Sequence, residues 1–202
     1  MTTVPRILIV VASTRTTRFA DVPLRWLLER TLHRTDFEFE VLDLRDHPMP
    51  FYDLPMSPAM SPRNYTTAEE RRIGPILDAA DGFLLITNEY NHGYSAALKN
   101  LLDHFFVEFN RKPVAFLGYG SVGASRAIEQ LRQVTSELEM VSVRPSVHLL
   151  GLQMMAIRQD PAAAVDIFAS LEPRLDVLLT DLHWWSSALI AARAANADSD
   201  AA

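Results

Sequence analysis

Four consecutive apolar residues, Phe83-Leu84-Leu85-Ile86, leave no alternate polar positions over a stretch of strand length. A strand of that kind is buried on both faces, as happens in a parallel sheet covered by helices on two sides. The residues that follow strengthen this reading. A polar, ring-bearing loop, Thr87-Asn88-Glu89-Tyr90-Asn91-His92-Gly93-Tyr94, comes next. Beyond it Ser95 can cap a helix in which Leu98, Leu101, Leu102 and Phe105 share one face. A strand that runs into a loop and then a helix puts the loop at the carboxyl edge of the sheet, where open α/β sheets bind ligands.

The rest of the chain repeats the pattern. A first strand is expected over about 6–12, and the run Ile7-Leu8-Ile9-Val10-Val11 is too short to be a secretory signal core with its flanks. A helix from about Phe19 to Arg34 would turn Phe19, Val22, Trp26 and Leu27 inward, with Pro23 tolerated near its first turn. Strand 37–42 alternates polar and apolar residues and suits an edge. Helix 67–79 opens with Thr66 or Thr67 as cap and Glu69 and Glu70 in its first turn. A strand over 113–117 leads through a glycine-rich loop to a helix over about 125–138. A fifth strand lies within 141–150, and Pro145 places it at the other edge. Asp160-Pro161 starts a helix that Pro173 should interrupt, with a second piece over about 173–193 carrying Leu175, Leu178, Leu179, Leu182 and Trp185. This alternation predicts one α/β domain over 1–202: a five-stranded parallel sheet in a three-layer sandwich, with a C-terminal helical extension over about 160–193. With the semi-polar second strand and the proline-bearing fifth at the edges, the order is 2-1-3-4-5 and the ligand belongs at the switch point between strands 1 and 3.

Two segments fit the alternation poorly. Residues 46–65 hold five of the 12 prolines, together with Met49, Phe51, Tyr52, Met56 and Met60, so they form a long loop without regular structure. Its apolar content points to packing on something, a neighbouring subunit included, as readily as to a mobile excursion. The tail from Ala194 is small and polar and is expected to fray.

Composition removes several classes of function. The chain of 202 residues has no cysteine, which excludes disulfides, thiolate metal sites and a cysteine nucleophile, and fits a cytoplasmic protein. A net charge of −6 argues against a nucleic-acid binder, though one pocket can be cationic in an acidic protein. No apolar run is long enough to span a membrane. Asp43, Asp46 and His47 lack the spacing of a metal site, no metal is expected, and His33 and His104 are read as surface or capping residues. Ser13 lacks the nucleophile elbow of a hydrolase. Trp184 and Trp185 cannot both face one core, which suggests an oligomer contact.

Three loops carry the chemistry. The first, Ser13-Thr14-Arg15-Thr16-Thr17-Arg18, combines hydroxyls, two guanidinium groups and the amides before a helix, a set that binds a phosphate dianion. It matches neither the Walker nor the G-x-G-x-x-G pattern. The second is the 87–94 loop. The third, Gly120-Ser121-Val122-Gly123, lets a flat ligand approach bare backbone.

These motifs together resemble the NADPH-dependent FMN reductase family, which includes quinone, chromate and azo-dye reductases on a flavodoxin-like fold. The resemblance rests on Asn88-Glu89-Tyr90-Asn91 followed by Leu98-Lys99-Asn100 and Asp103, on Ser13 and Arg15, and on Gly118 through Gly123 with Arg126-Ala127 and Gln130-Leu131-Arg132. It covers about residues 6–150. Asn88 stands where the family usually has proline, Ala12 where it has glycine, and Ala124 in place of a second glycine. The resemblance implies bound FMN, with NADPH or NADH as reductant and a quinone or similar small molecule as acceptor. Ser13, Arg15 and Arg18 would hold the phosphate, with Phe19 also at the cofactor, and Asn88, Glu89, Tyr90, Asn91, Gly120, Ser121, Val122 and Gly123 would hold the ring. His92 and Tyr94 would line the substrate side, beside Tyr90. No acid–base pair is required, because a flavin carries the redox step. Ping-pong exchange and a homodimer or homotetramer follow as expectations, with loop 46–65 walling the neighbour's site. A flavodoxin-type electron carrier, or a flavin-binding module without catalysis, is the alternative.

Overall fold

The computed structural model describes residues 3–200, with side chains to residue 196. Five parallel strands form one sheet: β1 (Arg6–Val11), β2 (Glu38–Asp43), β3 (Gly82–Asn88), β4 (Pro113–Gly120) and β5 (Val141–Leu150). Their order is β2-β1-β3-β4-β5. β3 is buried at every position, as its unbroken apolar run requires. β2 is mostly exposed or half-buried, as suits an edge. β5 is the opposite edge, and its proline has a visible place. Between the pairs Val114↔Ser142 and Phe116↔Ser146, β5 advances four residues while β4 advances two. Pro145, which has no N–H for the ladder, sits inside that bulge. Arg132 donates to the carbonyls of Val143 (2.9 Å) and Arg144 (3.1 Å) within the bulge.

Helices α1 (Asp21–Thr31), α2 (Ala68–Ala79), α3 (Ala96–His104), α4 (Ser125–Glu137), α5 (Gly151–Gln159) and α6 (Ala164–Asp200) complete the chain, with a 3-10 turn at Pro161–Ala163. Alternation along the strands divides the core in two. Ile7, Ile9, Val11, Leu84 and Ile86 pack with Trp26 and Leu27 of α1 and with Phe168, Leu175, Leu178 and Leu182 of α6. Leu8, Val10, Phe83, Leu85 and Phe116 pack with α2, α3 and α4 through Leu77, Leu101, Phe105 and Leu131.

Several expectations are corrected. Helix α1 is shorter at both ends than 19–34, and Phe19 belongs to the preceding loop. Helix α5 lies between the fifth strand and Asp160, where no helix is expected. Pro173 does not interrupt the C-terminal helix: α6 is continuous through it. Packing of five large apolar side chains on the sheet outweighs the proline's cost of about 3 kcal/mol. α6 continues through the tail to Asp200, with Ala201 and Ala202 outside the described residues. Trp185 packs against the core and Trp184 is exposed, their rings meeting edge-on at 4.9 Å.

Loop 46–65 is a strap seated on α2 and α3. Asn100 donates to Pro50 O (2.8 Å) and accepts from Tyr52 N (2.9 Å), and His104 Nε2 lies 3.0 Å from the same Pro50 oxygen. His104 is therefore a buried residue rather than a surface one, with Nδ1 2.7 Å from Glu70 Oε1. At the strap's far end Tyr65 donates to Glu108 (2.7 Å) while its ring lies against Gly74, where a Cβ would meet it at 2.3 Å.

Candidate functional site

The loops after β1, β3 and β4 meet at the carboxyl edge of the sheet, at the switch point. The loop after β1 is shaped by Arg18. Its guanidinium donates to Asp21 and Asp43 and to Ser13 O (2.8 Å), using every N–H it has. Asp43 closes β2, so this one side chain ties the loop to the neighbouring strand. Burial works against the Asp43 charge, but the bonds from Arg18 and Arg45 hold it below the usual carboxylate range. Arg18 is thus a brace, with its side chain almost wholly buried. Arg15 lies exposed four residues after Val11, with Thr14, Thr16 and Thr17 exposed around it. The amides of residues 14–17 make no backbone hydrogen bond among the described residues, which leaves them for a ligand.

The second loop begins at Asn88, the last residue of β3. It is 3% exposed, and neither its amide nitrogen nor its amide oxygen has a partner. Glu89 turns away to α4, where its carboxylate accepts from Arg126 N (3.2 Å) and Arg126 Nε (2.7 Å). Residues 90–93 form a tight turn, with Tyr90 and Gly93 exchanging backbone bonds at 2.8 and 3.0 Å. Asn91 (φ 48°) and His92 (φ 70°) sit at its two central positions, both left-handed, as a two-residue turn of this kind requires. Arg126 Nη1 reaches His92 Nε2 (2.8 Å) and Gln130 donates to His92 O (3.0 Å), so α4 holds the turn in place. Tyr94 packs into the core beside α3. Ser95 caps α3 by accepting from Leu98 N (3.2 Å) and donates to Ala12 O (2.9 Å), which joins the second loop to the first.

The third loop approaches closely because its glycines are bare. Gly123, at φ 64°, would bring a Cβ within 2.7 Å of His148 Cβ, and a Cβ on Gly118 would lie 2.4 Å from Gly123 O. Gly120 lies against Glu89, where a Cβ would meet the Glu89 Cβ at 3.6 Å.

Of the residues singled out in the sequence, Ser13, Arg15, Arg18, Phe19, Asn88, Glu89, Tyr90 and Gly120 line one cleft. Tyr90 spans its mouth, its hydroxyl 3.5 Å from Ser13 Oγ. Asn91, His92, Tyr94, Ser121, Val122 and Gly123 lie outside that lining. Three lining residues had no sequence motif to mark them as ligand-facing. Tyr119 has a buried hydroxyl beside Ser13, and burial pushes it up to about 12 despite the bond from Ser13, so it remains a neutral phenol. Met154 and Arg158 come from α5. The cleft therefore brings together arginine, an unpartnered amide, a neutral phenol and a glycine. Those groups match the chemistry of a polar-edged ring carrying a phosphate. A second cleft of about 400 Å3 opens on the far side of Thr14, between the strap and the start of α3, with Met49, Phe51, Ala97 and Leu101 in its walls. Among the described residues there is no cluster of acidic and histidine side chains that could hold a metal, and no helix long and apolar enough to cross a membrane.

Comparison with known proteins agrees with this geometry. The family model of the NADPH-dependent FMN reductases matches residues 5–153. An NAD(P)H-dependent FMN reductase of Schizosaccharomyces pombe is 37% identical over 161 residues, covering 78% of this chain and 80% of its own. An FMN-dependent NADPH-azoreductase of Staphylococcus aureus is 29% identical over 141 residues, covering 67% and 72%. Among solved structures, the flavoenzyme NAD(P)H:(acceptor) oxidoreductase FerB of Paracoccus denitrificans superposes with a TM-score of 0.59 at 18% identity, over 86% of this chain and 98% of that one. At that identity the last comparison speaks for the fold alone.

Proposed function

The chain belongs to the NADPH-dependent FMN reductase family, and from that premise we propose that it reduces quinones or similar small acceptors at the cleft above β1, β3 and β4. It is an oxidoreductase of the flavodoxin-like fold, with FMN as cofactor and NAD(P)H as reductant. Bound FMN would supply the hydride-transfer chemistry between nicotinamide and acceptor.

The residues do the holding. Arg15 and the amides of 14–17 take the phosphate, with Arg18 fixing the loop that presents them. The Asn88 amide offers a donor and an acceptor to the polar edge of the ring, and the neutral Tyr119 phenol adds one more donor. Gly120 leaves room for the ring to lie against backbone. Glu89, Arg126 and Gln130 keep the 90–93 turn rigid at the mouth, so the ring is not free to tilt. The observation that carries this reading is Asn88: a buried amide with both ends unpaired, at the switch point of the sheet, is a group waiting for a ligand. A cytoplasmic location fits the absence of cysteine. Its assembly is a homodimer or homotetramer, and loop 46–65 and the 400 Å3 cleft beside it bound the approach to the site.

The test is the absorption spectrum of the purified protein before and after NADPH, without oxygen. A flavin spectrum that bleaches, and recovers on adding a quinone, is expected. A protein that takes up no FMN refutes the cofactor site. One that binds FMN but is not bleached by NADPH or NADH is a carrier or a module and not a reductase.

A further inference from the structure

We infer that Arg158, on the last turn of α5, is a second phosphate-binding cation of the cleft, acting with Arg15 on a phosphate monoester dianion. The inference rests on the flavin-reductase reading of the cleft and adds to it a residue beyond 153, where the family match ends.

Charge accounting leads to it. A phosphate monoester carries between one and a half and two negative charges near neutral pH. Of the two guanidinium groups in the loop after β1, only one is free, because Arg18 has spent all five of its N–H groups on Asp21, Asp43 and Ser13 O. Arg158 makes up the deficit. It lines the same cleft as Arg15, and its guanidinium lies 5.6 Å from the centroid of the Phe19 ring. Phe19 is itself buried and rests 5.9 Å from Tyr119, so it is a fixed aromatic shelf that aims the cation. Neither Arg15 nor Arg158 makes an ion pair or a side-chain hydrogen bond with a described residue. The nearby carboxylates are committed elsewhere: Asp21 and Asp43 to Arg18, and Glu89 to Arg126. Two uncompensated like charges beside one cleft repel unless an anion lies between them. A forked, planar donor is also the side chain best matched to phosphate oxygens.

Two phosphate monoesters can reach this cleft, the 5′-phosphate of FMN and the 2′-phosphate of NADPH. The experiment separates them. The full chain is loaded with FMN or with riboflavin, and flavin release is followed on dilution by the recovery of fluorescence, for wild type, Arg158→Ala and Arg158→Lys. KM for NADPH and for NADH is measured in the FMN-loaded proteins, and melting temperatures establish that each variant folds. If the FMN phosphate is the ligand, Arg158→Ala weakens FMN about 10- to 100-fold and riboflavin less than about threefold, and lysine restores part of the loss. If the 2′-phosphate is the ligand, both flavins are retained and KM rises about tenfold for NADPH and not for NADH. Either result supports the phosphate role. Equal losses for FMN and riboflavin together with equal changes for NADPH and NADH, or no change in any of the four, overturn it. They would leave Arg158 as a cation on the carboxyl end of α5 and nothing more. Wild-type protein that binds neither flavin overturns it too, and the flavin reading with it.

Discussion

At Asn88 the chain buries an amide nitrogen and an amide oxygen with no partner for either. Each such group costs about 1–3 kcal/mol in a folded protein. Asn88→Leu removes both costs at nearly constant volume, so the flavin-free variant should melt above wild type while FMN binds at least tenfold more weakly. A lower melting temperature in the flavin-free variant would mean that the amide already has a partner there. Arg15→Ala addresses the other end of the cleft. Losing one charge-assisted bond to phosphate costs about 1.5–3 kcal/mol, so FMN should bind one to two decades more weakly and riboflavin almost unchanged, read by titration of the two flavins. Arg18→Ala should behave differently, lowering the melting temperature and weakening both flavins, because it unties the loop from β2. These two arginines also show where sequence reading stops. Hydroxyls and guanidinium groups ahead of a helix identify a phosphate loop by chemistry alone. Which arginine is free depends on Asp43 arriving from another strand, and no local pattern in the loop encodes that contact. Tyr119 was missed as a ligand group for a similar reason: its hydroxyl acquires meaning only when β3 sets Asn88 beside it.

The elements divide in the same way. The strands were legible because an unbroken apolar run, an alternating run and a proline-bearing run each have one natural place in a parallel sheet. α5 was not, since Gly151–Gln159 has no cap of the usual type and leaves Leu152 and Met155 in solvent. Pro173 misled for the opposite reason: its local cost is real, and tertiary packing overrides it. The strap shows how polar contacts can fix a segment without secondary structure. Its seat depends on Glu70, which caps α2 through Thr67 and meets the buried ring of His104. Burial raises the pKa of Glu70, but bonds from the Thr67 amide, the His104 ring, and the Thr66 hydroxyl and amide outweigh it and hold the carboxyl at about 2. An ordinary glutamate titrates near 4.3. The folded-state value is depressed, so the stabilisation is fully present above about pH 4.5 and is lost as pH falls towards 2. It is worth on the order of 3 kcal/mol. Urea unfolding at a series of pH values should show wild type losing stability steeply across that window. Glu70→Gln should be less stable at pH 7 and show a flatter profile. Parallel profiles for the two proteins would remove Glu70 from the latch.

Over the whole molecule, large apolar side chains stand in solvent on the strap and on helices α5 and α6. Phe51 of the strap is 81% exposed and Leu152 of α5 is 82% exposed, with Met60, Met155 and Trp184 also uncovered. Exposed apolar side chains of that size are available for contact with a second copy of the chain. A closed two-fold pair is the simplest assembly that covers them, so light scattering at micromolar concentration should return a dimer or tetramer mass. A monomer mass would refute that assembly. The proposed order of the reaction rests on the shape of the cleft. The cleft is floored by the ends of β1, β3 and β4, and Gly120, Asn88 and Tyr119 lie against whatever fills it. A ring seated there is covered on its inner side and open on the other. On the proposed function, donor and acceptor would share that opening, and the oxidised nicotinamide would leave before the acceptor arrives. Initial rates should give parallel double-reciprocal lines as the fixed substrate is varied, with inhibition by the acceptor at high concentration where it occupies the oxidised form. His92 and Tyr94, which lie outside the cleft lining, should matter little: alanine at either position should leave the parallel pattern intact and shift the acceptor KM by no more than about threefold. Intersecting lines would mean that both substrates sit at the site together, and the single opening would be the wrong picture of this cleft.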